Sequence, residues 1–345
     1  MPETYKAIAV TKPGEFAEVR KQLLEPGADQ VRIRVEACGV CHSDSATVDG
    51  LFAIDYPRVP GHEAVGVIDA VGSEVKGWRT GQRAGVGFLG GSCGYCEFCR
   101  SGDLVNCSNQ GYTGIHSDGG YAEVLIAKAS GLVRIPDDLS SANAAPLLCA
   151  GLTTFGALRN SPAKAGDLVA VLGIGGLGHL GVQYARHLGF EVAAIARGAD
   201  KADLAKKLGA HHYIDSASAD PASALQALGG AKVILVTASS SDTVSQSFKG
   251  LRPNGVSIVV GVGLQPIEIA ATDLIFGNRK LEGALTGDPA VCDATLRFSA
   301  LNGVAAMIET LPFEKAAEAY AKMIAGHARF RMVLTMNKHV AESAI

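Results

Sequence analysis

Residues 168–196 read LVAVLGIGGLGHLGVQYARHLGFEVAAIA, and this stretch decides the fold. It begins with a continuous apolar run at 168–172, which is typical of a strand buried on both faces. Apolar residues then recur at helical spacing up to Gly189, and a second apolar run follows at 191–196. A strand, a glycine-rich turn, a helix and a strand in this order predict a βαβ unit in a parallel sheet.

The turn between the first strand and the helix is a G-x-G-x-x-G sequence. In such a turn the first glycine permits the tight bend, the second lets a pyrophosphate approach the backbone, and the third lets helix and strand pack closely. The helix amino terminus adds N–H donors for the phosphates. The motif alone is weak, and glycines that serve only packing are the alternative. Its context after a strand predicts a nicotinamide dinucleotide site at Gly173, Gly175, Gly176, Leu177 and Gly178.

The end of the second strand selects between NAD and NADP. An acidic residue there would bind the ribose hydroxyls of NAD, but this strand ends in Ala196 and is followed by Arg197. The guanidinium of Arg197 suits a 2′-phosphate, so NADP is favoured. The alternative is that Arg197 is a solvated surface residue and that Asp200 or another group serves NAD.

Length and charge limit the classes of function. The 345 residues are enough for two domains, and a net charge of -3 gives no electrostatic reason to expect nucleic acid or an anionic membrane as partner. Neither a signal peptide nor a membrane-spanning run is evident, which predicts a cytoplasmic protein. In a reducing compartment the 8 cysteines are expected as metal ligands or buried thiols.

Four of these cysteines form a compact cluster in a glycine-rich loop. Their spacing, C-x2-C-x2-C-x7-C, can wrap one tetrahedral ion, and a four-thiolate zinc site is coordinatively closed and therefore structural. An iron–sulfur cluster is the other chemical option. The predicted ligands are Cys93, Cys96, Cys99 and Cys107.

Three more candidate ligands are dispersed along the chain. Cys41 stands at the exit of a predicted strand, His62 precedes another strand, and Cys149 follows Pro146-Leu147-Leu148. Two thiolates and one imidazole would leave an open fourth position, which is the arrangement of a catalytic zinc. Spacing alone does not show that the three converge, and each residue taken singly is more often buried for packing.

Taken together, these motifs resemble the zinc-dependent alcohol dehydrogenases of the medium-chain dehydrogenase/reductase superfamily. The resemblance covers essentially the whole chain and is carried by motifs in the family's order: Cys41-His42-Ser43-Asp44, Gly61-His62-Glu63, the four-cysteine loop, Cys149 and Gly173–Gly178. It implies an α/β protein with a GroES-like β-barrel catalytic domain and a Rossmann doubly wound parallel sheet. The implied domains are 1–150 with 291–345 for catalysis and 151–290 for the cofactor.

The resemblance also implies roles for individual residues. Cys41, His62 and Cys149 would bind the catalytic zinc, Glu63 would be a nearby carboxylate able to approach the metal, and Asp44 would orient His62. Ser43 would hydrogen-bond the substrate oxygen and begin a proton relay. The remaining implied residues are His42 and Arg331 near the cofactor pyrophosphate, and Phe88 in the substrate pocket. Many relatives carry a histidine where this chain has Ala46, so the usual terminal base of the relay is absent.

The expected activity is hydride transfer between NAD(P) and an alcohol or its aldehyde or ketone, with zinc polarising the substrate oxygen. A polyol or secondary-alcohol dehydrogenase of the same superfamily is the alternative. An alternative from a different class of function is a non-catalytic member of the fold that binds zinc or a nucleotide. Such a member is expected to have lost a zinc ligand or the glycine loop. The expected partners are a small-molecule substrate, two zinc ions per chain and further copies of the chain in a tetramer or dimer.

Overall fold

The structure is a computed structural model, and it describes residues 3–336. The chain divides into two compact units, one over Met1–Cys149 and Gly287–Ile345 and the other over Ala150–Thr286. Residues 337–345, which the expected catalytic domain includes, lie outside the described residues.

Along the chain, seven strands of the first unit come first, six strands of the second unit follow, and the last two strands belong to the first unit again. In chain order they are β1 (Thr4–Lys12), β2 (Glu15–Gln22), β3 (Gln30–Val40), β4 (Glu63–Val71), β5 (Arg83–Val86), β6 (Val124–Lys128), β7 (Leu132–Arg134), β8 (Leu168–Leu172), β9 (Glu191–Ala196), β10 (His212–Asp215), β11 (Ala231–Val236), β12 (Leu251–Val259), β13 (Lys280–Gly283), β14 (Ile308–Pro312) and β15 (Arg331–Thr335).

The helices that precede Cys149 are four residues long, and those of the second unit are spaced between its strands. They are α1 (Ser45–Val48), α2 (Glu97–Arg100), α3 (Ser141–Ala144), α4 (Ala150–Arg159), α5 (Gly178–His187), α6 (Ala202–Lys207), α7 (Pro221–Ala227), α8 (Ser241–Phe248), α9 (Ala271–Ile275), α10 (Pro289–Asn302) and α11 (Ala316–Ile324). Single 3-10 turns occupy His42–Asp44, Ala129–Gly131, Ala145–Leu148, Ala199–Lys201 and Phe313–Lys315.

The second unit holds a parallel six-stranded sheet in the order β10-β9-β8-β11-β12-β13. This is the order of dinucleotide-binding domains, in which the strand order reverses beside the first strand. Strand β8 is buried along its whole length, as its unbroken apolar sequence predicts. Apolar side chains such as Leu172, Ile195 and Phe248 fill the core around this sheet.

The first unit holds a mixed seven-stranded sheet and the separate hairpin β1-β2. The sheet order is β14-β15-β3-β4-β5-β7, with β6 paired to β3. The late strand β15 therefore lies antiparallel to the early strand β3, so the end of the chain completes the sheet that its beginning starts.

The predicted elements agree closely with the structure in the second unit. Strands β8 and β9 have the predicted bounds, and helix α5 lies between them and ends before Gly189, as its apolar spacing predicts. Helix α10 and the hairpin β1-β2 were not predicted. Within residues 3–336, no helix is long and apolar enough to cross a membrane.

Candidate active site and metal centres

The antiparallel pairing of β3 and β4 brings two sequence motifs together. Gly39, near the end of β3, lies opposite Glu63, the first residue of β4. Cys41 follows β3 in extended conformation and opens the 3-10 turn His42–Asp44. Since the strands run in opposite directions, Cys41 comes to lie beside the His62-Glu63 pair.

Cys149 reaches the same place from a later part of the chain. It directly follows the 3-10 turn Ala145–Leu148, which packs against β3 and β4. The Sγ atoms of Cys41 and Cys149 are 3.8 Å apart. One donor atom from each of Cys41, His62, Glu63 and Cys149 lies within 4.8 Å of the others.

This cluster has the chemistry of a zinc site. A tetrahedral ion with zinc–sulfur bonds of about 2.3 Å separates its thiolates by about 3.8 Å, which is the distance between the two sulfurs here. Among the described residues, His62 Nε2 and Glu63 Oε2 are buried and have no hydrogen-bond partner. A metal ion would satisfy these atoms, so the residues present fit zinc.

The orientation of His62 is set by Asp44. The Nδ1 atom of His62 lies 2.9 Å from Asp44 Oδ1, so the Nδ1–H donates to the carboxylate and Nε2 faces the two thiols. Burial opposes protonation of this ring, but the charges of Asp44 and Cys41 raise its pKa well above the ordinary value.

The pKa values of the two thiols are shifted in opposite directions. A hydrogen bond from Cys149, together with the positive charges of His62 and Arg331, lowers the pKa of Cys41 well below its ordinary value. The neighbouring Cys41 raises the pKa of Cys149. The lowered pKa of Cys41 favours its thiolate form, which is the form that binds a metal.

Glu63 is held by an ion pair with Arg331. The Arg331 Nη2 atom donates to Glu63 Oε1, and the two side chains are 4% and 0% exposed. Burial raises the pKa of Glu63 to about 7, although Arg331 opposes that rise. A Cβ atom at Gly39 would lie 1.8 Å from Glu63 Oε2, so a glycine is required beside this carboxylate.

The four-cysteine loop forms a second cluster. The Sγ atoms of Cys93 and Cys107 lie 3.6 Å apart, and those of Cys93 and Cys99 and of Cys96 and Cys107 each lie 4.0 Å apart. These separations again match the edges of a zinc–thiolate tetrahedron, and all four cysteines are free. A hydrogen bond from Asn109 leads the contacts that lower the pKa of Cys93 to about 6.

The glycine turn in the second unit has the shape of a phosphate cradle. A Cβ atom at Gly178 would lie 1.7 Å from the carbonyl oxygen of Gly173, so this glycine permits the close approach of helix α5 to the turn. At Gly175 a Cβ atom would meet nothing within 4 Å, which leaves open space over the backbone. The cradle fits a dinucleotide phosphate, which would occupy that space and contact the amino terminus of α5.

Arg197 follows β9 and is exposed, and among residues 3–336 its guanidinium makes no hydrogen bond or ion pair. The next residue, Gly198, is fixed from strand β10. Its N–H donates to Asp215 Oδ1 at 2.7 Å, and its carbonyl accepts from the Tyr213 hydroxyl.

The other predicted residues have simpler surroundings. Ser43 is half-buried in the turn His42–Asp44, while His42 is exposed. The Phe88 ring meets the His62 ring edge-on at 5.2 Å between centroids, and its own face stacks on Tyr112 at 4.8 Å. Ala46, at the position of the missing relay base, is buried.

Sequence reasoning did not identify two residues of these sites. The Tyr121 hydroxyl lies 2.9 Å from Asp44 Oδ2, and the buried ring of His179 donates from Nδ1 to the carbonyl of Gly175 at 2.8 Å. His179 is the second residue of helix α5, and Gly175 of the glycine turn lies four residues before it, so helical spacing could have indicated this contact. Nothing local indicates Tyr121.

Comparisons with known proteins agree with this geometry. Residues 27–137 match the family profile of the alcohol dehydrogenase GroES-like domain, and residues 176–301 match that of zinc-binding dehydrogenases. An alcohol dehydrogenase from Aspergillus sp. is 39% identical over 98% of this chain and 99% of its own length.

Two further comparisons extend this result. An NADP-dependent alcohol dehydrogenase from Mycobacterium bovis is 34% identical over 96% of this chain and 98% of its own length. The solved structure of a cinnamyl alcohol dehydrogenase from Sorghum bicolor superimposes with a TM-score of 0.89 at 30% identity, covering 99% of this chain and all of the other. The expected fold class, a GroES-like unit with a Rossmann sheet, is thereby confirmed.

Proposed function

The chain belongs to the zinc-dependent alcohol dehydrogenases of the medium-chain dehydrogenase/reductase family, and from this membership we propose which of its residues carry the reaction. The reaction is the NAD(P)-dependent interconversion of alcohols and carbonyl compounds. One observation carries the assignment, namely that Cys41, Cys149 and the partnerless Nε2 of His62 converge in one buried cluster.

Cys41, His62 and Cys149 hold the catalytic zinc, which leaves a fourth position for the substrate oxygen. Zinc bound there supplies the Lewis acidity that polarises this oxygen. Cys93, Cys96, Cys99 and Cys107 hold a second, structural zinc, so that each chain carries two ions. The supporting evidence is the sulfur spacing in both clusters.

The residues around this zinc site orient its histidine ligand, transfer a proton and line the substrate pocket. Asp44 keeps the Nδ1–H of His62 engaged, so that Nε2 is free for the metal. Ser43 accepts the hydroxyl proton of the alcohol and passes it on to a water molecule, because Ala46 offers no base. Phe88, seated against the His62 ring, lines the substrate pocket.

Glu63 is the carboxylate that can approach the metal when its ligand set changes. Its Oε2 atom is partnerless and belongs to the donor cluster, while Oε1 is retained by Arg331. The same carboxylate can thus turn towards the metal without losing its charge partner.

The cofactor lies on Gly173, Gly175, Gly176, Leu177 and Gly178, with its pyrophosphate at the amino terminus of α5. NADP is preferred, because Arg197 is exposed, makes no ion pair within residues 3–336 and stands where an acidic residue would serve NAD. The M. bovis relative is named as NADP-dependent, which agrees with this preference. His42 and Arg331 remain the residues proposed to contact the pyrophosphate.

The unit over Met1–Cys149 and Gly287–Ile345 is the proposed catalytic domain, and the unit over Ala150–Thr286 is the proposed cofactor domain. Polyol oxidation and a non-catalytic role are not favoured, since both metal clusters and the glycine turn are intact and the relatives are alcohol dehydrogenases. The proposed location is the cytoplasm, where the thiols of both clusters would stay reduced.

A homo-oligomer, either a dimer or a tetramer, is the proposed assembly. Strand β13 is exposed throughout and pairs with β12 on one edge only, and Ile275 and Phe276 beside it are 67% and 74% exposed. Such an edge is a template for pairing with another strand. Sedimentation velocity would test this, and a monomer at micromolar concentration would contradict it.

The function is tested by initial rates of reduction of one aromatic and one aliphatic aldehyde with NADPH and with NADH. The protein should be zinc-replete, and its zinc content should be measured in parallel. We expect turnover, two zinc ions per chain and a lower KM for NADPH. A preference for NADH would remove Arg197 from the cofactor site, and the absence of turnover with two bound zinc ions would contradict the proposed substrate class.

A further inference from the structure

Three donors surround the carboxylate of Asp44, which is 3% exposed. The ring Nδ1 of His62 lies 2.9 Å from Oδ1. The backbone N–H of Cys41 and the hydroxyl of Tyr121 both lie 2.9 Å from Oδ2. Asp44 is therefore bonded to two of the proposed zinc ligands and to one residue that no sequence motif indicates.

Tyr121 is itself held firmly in place. Its backbone N–H donates to the carbonyl of Pro60 at 3.1 Å, and its carbonyl accepts from the N–H of Ile8 at 2.8 Å. Its ring is completely buried and lies so close to Gly61 that a Cβ atom there would be 2.4 Å from the ring. Because Gly61 directly precedes His62, the backbone that carries this zinc ligand is packed against the tyrosine ring.

We propose that Tyr121 is a positioning residue for the catalytic zinc, acting through Asp44 on His62. The inference rests on the proposed function, because it requires His62 to bind the metal. The tyrosine hydroxyl fixes the plane of the Asp44 carboxylate, and this carboxylate fixes the orientation of the imidazole. Outer residues that orient a ligating histidine contribute to metal affinity in this way.

The direction of the effect follows from the hydrogen bonds. Burial and the charge of Asp44 raise the pKa of Tyr121, so the hydroxyl keeps its proton and donates. Without it, Asp44 Oδ2 would retain only the N–H of Cys41. The carboxylate could then rotate, the imidazole would be held less firmly, and zinc would dissociate faster.

The chain offers a matched control in Tyr320. It is a buried tyrosine of the same unit, at 8% exposure, and its hydroxyl donates to Asp49 Oδ2 at 3.2 Å. No hydrogen bond among the described residues connects the Asp49 side chain to a proposed metal ligand. Tyr320→Phe therefore deletes a comparable tyrosine–carboxylate bond without touching the zinc site.

The experiment measures zinc release into an excess of a chromogenic chelator for the wild-type protein, Tyr121→Phe and Tyr320→Phe. A His62→Ala chain identifies which zinc belongs to the cysteine loop. We expect Tyr121→Phe to release the catalytic zinc about three- to tenfold faster, below the 10–100-fold typical of direct partners of a ligating histidine. The zinc of the cysteine loop and the Tyr320→Phe protein should behave as in the wild type.

Three results would overturn the inference. Release from Tyr121→Phe at the wild-type rate would show that the hydroxyl does not hold the site. Equal acceleration in Tyr320→Phe would show a general loosening of the unit. Equal zinc content in the wild type and His62→Ala would refute the proposed catalytic zinc itself, and the inference with it.

A double variant tests the route through Asp44. Asp44→Asn alone should accelerate zinc release, and adding Tyr121→Phe to it should bring little further change if the tyrosine acts through this carboxylate. Additive effects of the two substitutions would overturn the route. Thermal unfolding of each variant establishes that the proteins compared are folded.

Discussion

Arg331 and Glu63 form a buried ion pair although 268 residues separate them along the chain. The pair exists because β15 lies beside β3 in the sheet and Glu63 begins β4 on the other side of β3. Burial opposes ionisation of Arg331, but the charge of Glu63 more than compensates and raises its pKa. The carboxyl end of the chain thus supplies the counter-charge for a carboxylate of the metal cluster.

Removing Arg331 should therefore be costly. Arg331→Leu leaves Glu63 buried without a cation, and breaking such a pair typically destabilises a protein by about 3–5 kcal/mol. Chemical denaturation of the single and double variants measures the loss. Glu63→Gln should restore part of the stability in the Arg331→Leu background, and a double variant that is no more stable than Arg331→Leu would show that the pair is not coupled.

Cys149→Ser should abolish turnover while the chain remains folded. The substitution removes one thiolate from the open metal cluster, and the zinc content should fall by one ion per chain. The control is Cys292→Ala, which removes a buried thiol that belongs to neither metal cluster. Turnover at the wild-type rate in Cys149→Ser would exclude Cys149 from the catalytic site.

Cys99→Ser should lower stability before it lowers activity. The cysteine loop has little apolar core of its own, since Tyr95 and Phe98 are 71% and 41% exposed, so we expect the proposed zinc to order it. Differential scanning calorimetry with and without added zinc measures the change. A variant with the wild-type melting temperature and no turnover would contradict the structural role.

The predictions from sequence succeeded where the information is local. The apolar run of β8, the turn Gly173–Gly178 and helix α5 are adjacent in the chain, so periodicity and glycine positions suffice to place them. The convergence of the four loop cysteines is also local, because all four lie within fifteen residues. In each case all the residues that define the feature lie in one short stretch of the chain.

The rest depends on strand pairing that no local pattern encodes. Resemblance grouped Cys41, His62 and Cys149, but only the antiparallel register of β3 and β4 brings the first two together. The contact between Tyr121 and Asp44 spans 77 residues and follows from the hydrogen bonds of Tyr121 with Pro60 and Ile8. The hairpin β1-β2 was not predicted because β1 carries a continuous buried run in place of alternation and β2 has no fully buried position.

The ion pair between Asp167 and Arg252 should make stability depend on pH in the acid range. Burial opposes ionisation of Asp167, but the Lys164 N–H and the Arg252 guanidinium at 2.8 Å lower its pKa. Because the folded-state pKa is depressed, the stabilisation is present above the unfolded value of about 3.9 and is lost as the pH falls through the folded value.

Asp167→Asn should consequently be less stable at pH 7 by up to about 1 kcal/mol, the upper range for an exposed pair. The difference from the wild type should shrink as the pH is lowered towards 3. Denaturant unfolding across this range measures it, with Asp138→Asn, an exposed carboxylate without a hydrogen bond among the described residues, as the control. A difference that is constant with pH would show that the charge of Asp167 is not responsible.

The preference for NADP should depend on the residues that hold the segment after β9. Tyr213 and Asp215 bond the two peptide groups of Gly198, and the N–H groups of Ala217 and Gly198 lower the pKa of Asp215 so that it stays ionised. If Arg197 binds the 2′-phosphate, Arg197→Ala should raise the KM for NADPH about tenfold or more, in line with about 1.5–3 kcal/mol for a charged hydrogen bond. The KM for NADH should change little.

Tyr213→Phe should also raise the KM for NADPH and leave the KM for NADH nearly unchanged, but by a smaller factor than Arg197→Ala. The Arg197 guanidinium remains in this variant, while the backbone that carries it is less constrained. Ser218→Ala, in the same turn, is the control, because its hydroxyl donates to the Asp215 carbonyl and not to Gly198. Isothermal titration with 2′,5′-ADP and with 5′-AMP separates phosphate recognition from adenosine binding, since only the former carries the 2′-phosphate. Equal losses for both ligands in Tyr213→Phe would mean that the tyrosine supports the fold of the segment and not the choice of cofactor.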